Sequence, residues 1–259
     1  MRTTIIMNAK GGVGKTVTTI NMAAELAARG KRVVCIDADP QCNLSNFFGA
    51  DLDSGTLYDV LMRTGDSYCE NMLQDTQLEN VQILPGHMDL ILADVRALKA
   101  QEINRDAVRD FATCMAEDDC CDFVLIDSPP SFTAATAAGL AAADDVIIPI
   151  KLDAFSIDGV EEMMRQVKGM REINPTLKVA GVLVTQYDGT TVAKETADAL
   201  RESAIPVFGT VIRRTTAVDR STFERRPLRE EKGVYAQRVA EEYAAVVSEY
   251  LGGGAKNGF

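Results

Sequence analysis

Short apolar runs alternate along the chain with segments of helical periodicity. Residues 3–7, 32–36, 81–84, 122–126, 145–150, 178–185 and 206–212 are rich in β-branched and other apolar side chains. Most are apolar at consecutive rather than alternate positions, as in Val33-Val34-Cys35-Ile36 and Phe123-Val124-Leu125-Ile126. Strands of that kind are covered on both faces, which predicts a parallel sheet held between helices. The intervening segments agree: residues 16–29 read as a helix stopped by Gly30, residues 157–173 as one stopped before Pro175, and residues 191–203 as another. A last helix over residues 235–250 carries Tyr235, Val239, Tyr243, Val246, Val247 and Tyr250 on one stripe. Its other face is rich in Glu rather than Lys, so the stripe is expected to dock on the sheet and not on a membrane. The expected class is α/β, with a mostly parallel central sheet and helices on both faces. It forms a single domain over residues 1–251, followed by a flexible tail over residues 252–259.

Composition bounds the function. With 259 residues, 46% hydrophobic and 25% charged, the chain is an ordinary folded protein and disorder is excluded as its main state. Against 38 Asp+Glu there are 27 Lys+Arg, a net charge of −11. A uniformly basic nucleic-acid coat is therefore excluded, and any such contact must come from a local patch. The longest charge-free run, residues 128–143, begins Ser-Pro-Pro and is mostly Ala, too short and too weakly apolar to span a bilayer. The N-terminus lacks the apolar stretch of a secretory signal, which predicts a cytoplasmic protein. Its six cysteines include no C-x-x-C pair, so reduced thiols are expected and no cysteine metal site is.

Candidate chemistry begins between the first predicted strand and the first predicted helix, at Lys10-Gly11-Gly12-Val13-Gly14-Lys15-Thr16. In a strand–loop–helix context, glycines let backbone N–H groups turn inward around phosphate oxygens while the helix N-terminus adds a favourable dipole. Lys10, Gly11, Gly12, Val13, Gly14, Lys15, Thr16 and Val17 form the expected nucleotide-binding set. Lys15 is placed to reach the β and γ phosphates, and the Thr16 hydroxyl to ligate Mg²⁺. The general pattern G-x-x-x-x-G-K-S/T has Gly where this chain has Ala9; Gly11 and Gly12 stand inside the loop instead. Asp127 follows a buried apolar run, where it is expected to face the loop and orient Mg²⁺ through water; the alternative is a turn cap before Ser128-Pro129-Pro130. Asp37 and Asp39, two residues apart at the end of an extended run, point to one side. Such a pair is costly without a cation, which Mg²⁺ and the lysines would supply. A turn begun by Asp39-Pro40 explains Asp39 but not the pair.

Together with Cys35-Ile36-Asp37-Ala38-Asp39-Pro40-Gln41-Cys42-Asn43 and Phe123-Val124-Leu125-Ile126-Asp127-Ser128-Pro129-Pro130-Ser131, this loop resembles the deviant Walker A loop of the ParA/MinD family of dimeric ATPases. The similarity continues through Ala143-Asp144-Asp145-Val146-Ile147-Ile148-Pro149 and Thr185-Gln186-Tyr187-Asp188 to the end of the last helix. It is nearest to the short, Soj-like partition ATPases that lack an N-terminal helix-turn-helix domain. The resemblance implies a three-layer P-loop NTPase fold and an ATP- and Mg²⁺-dependent ATPase, weak unless a partner stimulates it. It implies a homodimer in the ATP-bound state, in which Lys10 reaches across to the partner's nucleotide and Gly12 sits where the subunits approach. It makes Lys10, Lys15 and Asp39 catalytic, with Asp39 positioning the attacking water, and gives Asp37 a supporting place in the metal shell beside Thr16 and Asp127.

The family divides by what the ATP dimer holds. MinD-like members end in a basic amphipathic membrane helix, absent here, and iron–sulfur relatives need paired interface cysteines, whereas Cys120-Cys121 precede a core strand. Residues 213–229 hold Arg213, Arg214, Arg220, Arg225, Arg226 and Arg229 against only Asp219 and Glu224. That cluster is either a surface that neutralises DNA phosphates without reading sequence or a solvated face paired internally with neighbours such as Glu230 and Glu231. The resemblance favours DNA, through Arg213, Arg214, Arg220, Arg225 and Arg226, although two family DNA-contacting arginines fall on Thr190 and Ala217. It further implies a ParB-like centromere-binding activator and a nucleoid-associated location in the cytoplasm. The expected function is partition of a plasmid, chromosome region or mobile element. Positioning of a non-DNA cargo and an ATP-switched regulatory module stand as alternatives.

Overall fold

The computed structural model describes residues 1–62, 72–99, 104, 106–153 and 156–255. Seven strands form one sheet in the spatial order β3 (Gln74–Asp75), β4 (Val81–Leu84), β2 (Val33–Asp37), β5 (Phe123–Asp127), β1 (Arg2–Ile6), β6 (Asp145–Lys151) and β7 (Lys178–Thr185). All neighbours pair in parallel except β3 with β4. The continuous apolar runs are explained by two cores, one on each face. Ile5, Val34, Ile36, Val124 and Ile126 point into one, with α3 (Leu57–Met62), α5 (Ala107–Glu117), α6 (Ala134–Ala142) and α7 (Ser156–Met170). Ile6, Val33, Cys35, Phe123 and Leu125 point into the other, with α1 (Lys15–Ala27), α2 (Asn43–Phe48) and α10 (Val234–Leu251). This is the expected three-layer α/β architecture, completed by α4 (Leu90–Leu98), α8 (Thr191–Glu202) and α9 (Thr216–Glu224).

Helices α2 to α6 and α9 were not signalled by periodicity. α6 shows why: nearly all Ala, it has no polar face to mark a stripe, and its small residues let it lie against the sheet. A Cβ on Gly139 would come within 3.1 Å of Ile5 Cδ1. Residues 206–212, expected as a strand, meet β7 at one isolated bridge, Val182–Val207, and through the Ile212 amide, which donates to Val184 O at 2.8 Å, without forming a continuous ladder. The Gly209 and Thr210 amides donate instead to the Glu249 carboxylate, at 2.7 and 3.0 Å, which draws the segment off the sheet edge. α10 docks as expected through Val239, Tyr243, Val246, Val247 and Tyr250, but Tyr235 is exposed. The Tyr250 hydroxyl lies 2.5 Å from Thr4 Oγ1, and the Arg2 guanidinium sits 4.0 Å from the Tyr250 ring centroid.

Beyond α10, the Ala255 amide donates to Ala180 O at 2.7 Å, while residues 256–259 of the expected tail lie outside the described residues. Cys35, Cys42, Cys120 and Cys121 carry free thiols. Cys114 is disulfide-bonded, which corrects the expectation of reduced thiols at that position; Cys69 lies outside the described residues. Among the described residues no helix is long and apolar enough to cross a membrane.

Candidate nucleotide site

After β1 the chain turns through residues 7–14 into α1. Gly12 (φ +72°) and Gly14 (φ +85°) occupy the left-handed region that a Cβ disfavours. Asn8 pins the start of the turn: its Nδ2 donates to Pro149 O at 2.8 Å and its Oδ1 accepts from the Lys10 amide at 2.9 Å. The end of β7 holds the far half, with Thr185 Oγ1 donating to Val13 O at 2.7 Å and Gln186 Nε2 to Gly12 O at 2.5 Å. No side chain caps the N-terminus of α1, so its first amides and its dipole are available to an anion. Lys15 is buried beside them with Nζ 3.3 Å from Lys10 O. Burial depresses its pKa, and the nearby Asp127 and Asp39 charges oppose that shift.

Register sets the carboxylates side by side. Asp37 and Asp127 are paired positions at the ends of β2 and β5, and both are fully buried. Thr16 Oγ1 donates to Asp127 Oδ2 at 2.6 Å and Thr19 Oγ1 to its Oδ1 at 3.4 Å. Burial, then the charge of Asp37, pushes the Asp127 carboxyl well above its ordinary range. Burial likewise raises Asp37, to about 6, although its oxygens accept from the Ser45 amide (2.8 Å), the Ser45 hydroxyl (2.7 Å) and the Asp39 amide (3.1 Å). Ser45 Oγ in turn accepts from the Gly86 amide at 2.9 Å. Asp37 thus organises residues 39–45. Asp39 instead lines the open cleft, its Oδ1 accepting from the Gln41 amide at 2.9 Å.

Two buried carboxyls, raised in pKa despite the Lys15 ammonium beside Asp127, stand with the Thr16 hydroxyl as a set of oxygen donors. No group of three or more His, Cys, Asp or Glu side chains is gathered for a metal among the described residues. That suits Mg²⁺, which is held by one or two protein oxygens together with phosphates and water rather than by a full protein cage.

The cleft in front of the loop has a volume of about 1370 Å³. Gly14, Lys15, Thr16 and Val17 form one end, Gln186, Tyr187 and Asp188 a side wall, and Arg213, Arg214 and Phe223 the far end. Lys10 does not line it; its half-exposed side chain is ion-paired with Asp153 of the same chain. The arginines divide. Arg213 bonds through its amide (2.8 Å) and its guanidinium to Glu242, whose side chain is 9% exposed. Arg220 pairs with Glu224 at 2.7 Å and Glu231 at 3.8 Å, Arg226 with Glu224 at 3.9 Å, and Arg229 with Glu25 at 3.1 Å. Arg214 donates its amide to Tyr187 O at 3.0 Å, and Arg225 closes α9 at φ +53°. Neither Arg214 nor Arg225 has an ion pair among the described residues. Thr190 caps α8 by accepting from the Ala193 amide, and Ala217 gives its amide to the Thr215 cap of α9.

Four residues of the site had no assigned role in the sequence. Thr185 and Gln186 were visible as part of a motif, but nothing local said that they hold the phosphate loop. Ser45 and Asp153 lie outside every motif, and only tertiary proximity to Asp37 and Lys10 gives them a place.

A family model described as AAA domain matches residues 1–179. The chromosome-partitioning ATPase Soj of Thermus thermophilus is 33% identical over 264 residues, covering 96% of this chain and 98% of that protein. The chromosome partitioning protein ParA of Myxococcus xanthus is 36% identical over 189 residues, covering 71% of this chain and 64% of that protein. Among solved structures, a cobyrinic acid a,c-diamide synthase from Mycobacterium smegmatis with bound ADP and magnesium superposes with a TM-score of 0.80 at 29% identity, covering 100% of this chain and 99% of that one. A phosphate loop at the carboxyl end of a central parallel strand, buried strand-end carboxylates and likeness to a partitioning ATPase over 96% of this chain lead to one assignment: the chain belongs to the ParA/MinD family of P-loop ATPases, among its Soj-like members.

Proposed function

We propose that this protein is an ATP-driven partition switch: an ATP-sandwich dimer that grips DNA without sequence preference and lets go after hydrolysis. The observation that carries the reading is the split between the two lysines of the loop. Lys15 is buried at the phosphate end of its own cleft, whereas Lys10 stands outside that cleft, at the surface. A lysine conserving its charge at the surface through Asp153 is available to a second subunit, and exchanging Asp153 for a partner's phosphates makes dimerisation nucleotide-dependent.

In this reading the loop amides and Lys15 hold the β and γ phosphates, while Thr16 and Asp127 hold Mg²⁺, which screens phosphate charge as phosphoryl transfer proceeds. Asp37 keeps Ser45 and the Asp39 amide in place, so that Asp39 faces the cleft and orients the attacking water. Lys10 from the partner adds positive charge where the transition state gains negative charge. The acidic background and the few unpaired arginines make one subunit's hold on DNA weak; two patches acting together in a dimer make it useful and reversible. Arg214 and Arg225 are the charges available for phosphates, and Arg213, Arg220 and Arg226 must leave acidic neighbours to join them. A ParB-like activator, nucleoid association in the cytoplasm and slow hydrolysis in its absence complete the reading.

That pairing of arginines favours a second reading, in which the same ATP switch positions or regulates a partner other than DNA. Retention on immobilised non-specific DNA, measured across a salt series with ATP, ADP and no nucleotide, separates them. ATP-only retention that fades with salt supports partition; no retention in any state supports the second reading.

A further inference from the structure

We propose that Gln186 is a positioning residue that relays occupancy of the nucleoside end of the cleft to the phosphate loop at Gly12, and thereby sets how strongly ATP drives dimerisation. The inference rests on the dimer reading above and names the element that couples its two halves.

Gln186 follows the last residue of β7 and holds φ +51°, a left-handed conformation that residues with a full side chain adopt only at a cost. Such a conformation persists where the surroundings impose it. Here Tyr187 is fixed on both sides, its amide donating to Ile212 O at 2.9 Å and its carbonyl accepting from the Arg214 amide at 3.0 Å. The turn carrying Gln186 is therefore tied to the far wall of the cleft. From that turn Gln186 Nε2 reaches 2.5 Å to Gly12 O, the hydrogen bond that the described residues provide to this carbonyl.

The direction of a carbonyl decides the direction of an amide. In a trans peptide C=O and N–H point oppositely, so holding Gly12 O fixes the Val13 N–H on the other side. Thr185 Oγ1 does the same one peptide later by holding Val13 O, which fixes the Gly14 N–H. Two successive amides of the loop are thus aimed by the end of β7. The two holds differ in what they sense. Both line the cleft, but Thr185 is buried within the strand, its hydroxyl shared between Val13 O and Ile150 O, while the partly exposed Gln186 stands beyond the strand end beside Tyr187 and Asp188. Gly12 is exposed, and a Cβ built on it meets nothing within 4 Å. Its peptide faces outward two residues from Lys10, in the stretch that a second subunit must approach. The relay requires that, with the phosphates at Lys15, the rest of a nucleotide extend along the part of the cleft that Gln186, Tyr187 and Asp188 line. Contact there bears on the one side chain that steers Gly12.

The test compares wild type with Gln186→Ala and Gln186→Gly, using ATP and ribose 5-triphosphate, which lacks the base. Binding is read by calorimetry and dimerisation by light scattering. Wild type is expected to dimerise more strongly with ATP than with ribose 5-triphosphate. In Gln186→Ala, ATP binding itself weakens, since the Val13 amide is no longer aimed, but dimerisation measured at saturating ATP weakens further, by roughly tenfold to a hundredfold, since one hydrogen bond is lost at each of two equivalent sites. The two ligands then drive dimerisation equally. Gln186→Gly removes the same hydrogen bond while relieving the left-handed backbone; it is expected to melt no lower than wild type and to show the same loss, which a merely structural role would not produce. Wild-type dimerisation in either variant, or a preserved preference for ATP over the base-free ligand, overturns the relay while leaving the dimer reading intact. Wild type that stays monomeric with ATP overturns the dimer reading and the relay with it.

Discussion

At the phosphate-loop end of the cleft, Asp37 and Asp127 are fully buried with raised pKa values, and Lys15 is buried beside them with a lowered one. In residues 213–229, Arg213, Arg220, Arg226 and Arg229 each have an acidic partner within the same fold. The first region holds its ionisable groups at the expense of stability, which the proposed function explains by a ligand that completes them. The second completes its own charges: Arg213 and Arg229 fasten the segment to α10 and α1, and Arg220 and Arg226 pair with acidic groups within it or next to it in the chain. Composition alone weighs these regions unequally, six arginines standing out as a patch, whereas the three aspartates are marked by their place at the ends of apolar runs.

That contrast can be broken at its strongest point first. Replacing Lys15 by Ala removes the buried ammonium and its charge-assisted contacts to phosphate; calorimetry should show ATP affinity falling by about a hundredfold or more. Asp37→Asn tests whether the carboxylate is held at a cost. A carboxyl raised from 3.8 to about 6 by burial favours the folded state when protonated, so its contribution is full below pH 4 and is lost as pH rises through about 6. Without nucleotide or metal, the stability difference should therefore move in favour of the Asn variant by up to about 3 kcal/mol between pH 4 and pH 8, against a pH-independent cost where the Asn N–H₂ meets the Ser45 or Asp39 amide. An advantage that grows toward acid would mean that Asp37 is stabilised as the anion instead.

Smaller effects sharpen the same contrast. Chelating Mg²⁺ should weaken ATP binding to wild type by about tenfold and leave Asp127→Asn, already weakened, nearly unchanged. In the arginine segment, Arg213→Ala strands the buried Glu242 and should lower the melting temperature by several degrees, at roughly 2–4 °C per kcal/mol for a chain of this size. Arg225→Ala should leave the melting temperature unchanged and, on the DNA reading, reduce the salt slope of DNA retention by about 1. Equal melting temperatures for the two variants would erase the distinction between fastened and available arginines.

Much of this was legible in the sequence because the signals were local. Runs buried on both faces announced β1, β2, β5, β6 and β7, and the glycines, Lys15 and Thr16 announced the loop between β1 and α1. What was not legible depends on residues far apart in the chain. Residues 206–212 have strand composition, but Glu249 of α10 takes the amides that a sheet edge would have used. The Lys10–Asp153, Asp37–Ser45 and Gln186–Gly12 contacts have no periodicity or spacing to betray them. Pairing with Glu231 was among the expectations, but nothing in the composition said that Glu25 and Glu242 would come from other elements to balance Arg229 and Arg213.

The central claim is that Lys10 serves the partner's nucleotide and not its own. Light scattering of wild type and Lys10→Ala with Mg²⁺ and ATP, alongside calorimetric ATP binding to each, addresses it directly. The account predicts that both bind ATP with similar affinity, that wild type doubles in mass, and that Lys10→Ala remains a single subunit. A Lys10→Ala protein that dimerises normally in ATP would contradict it.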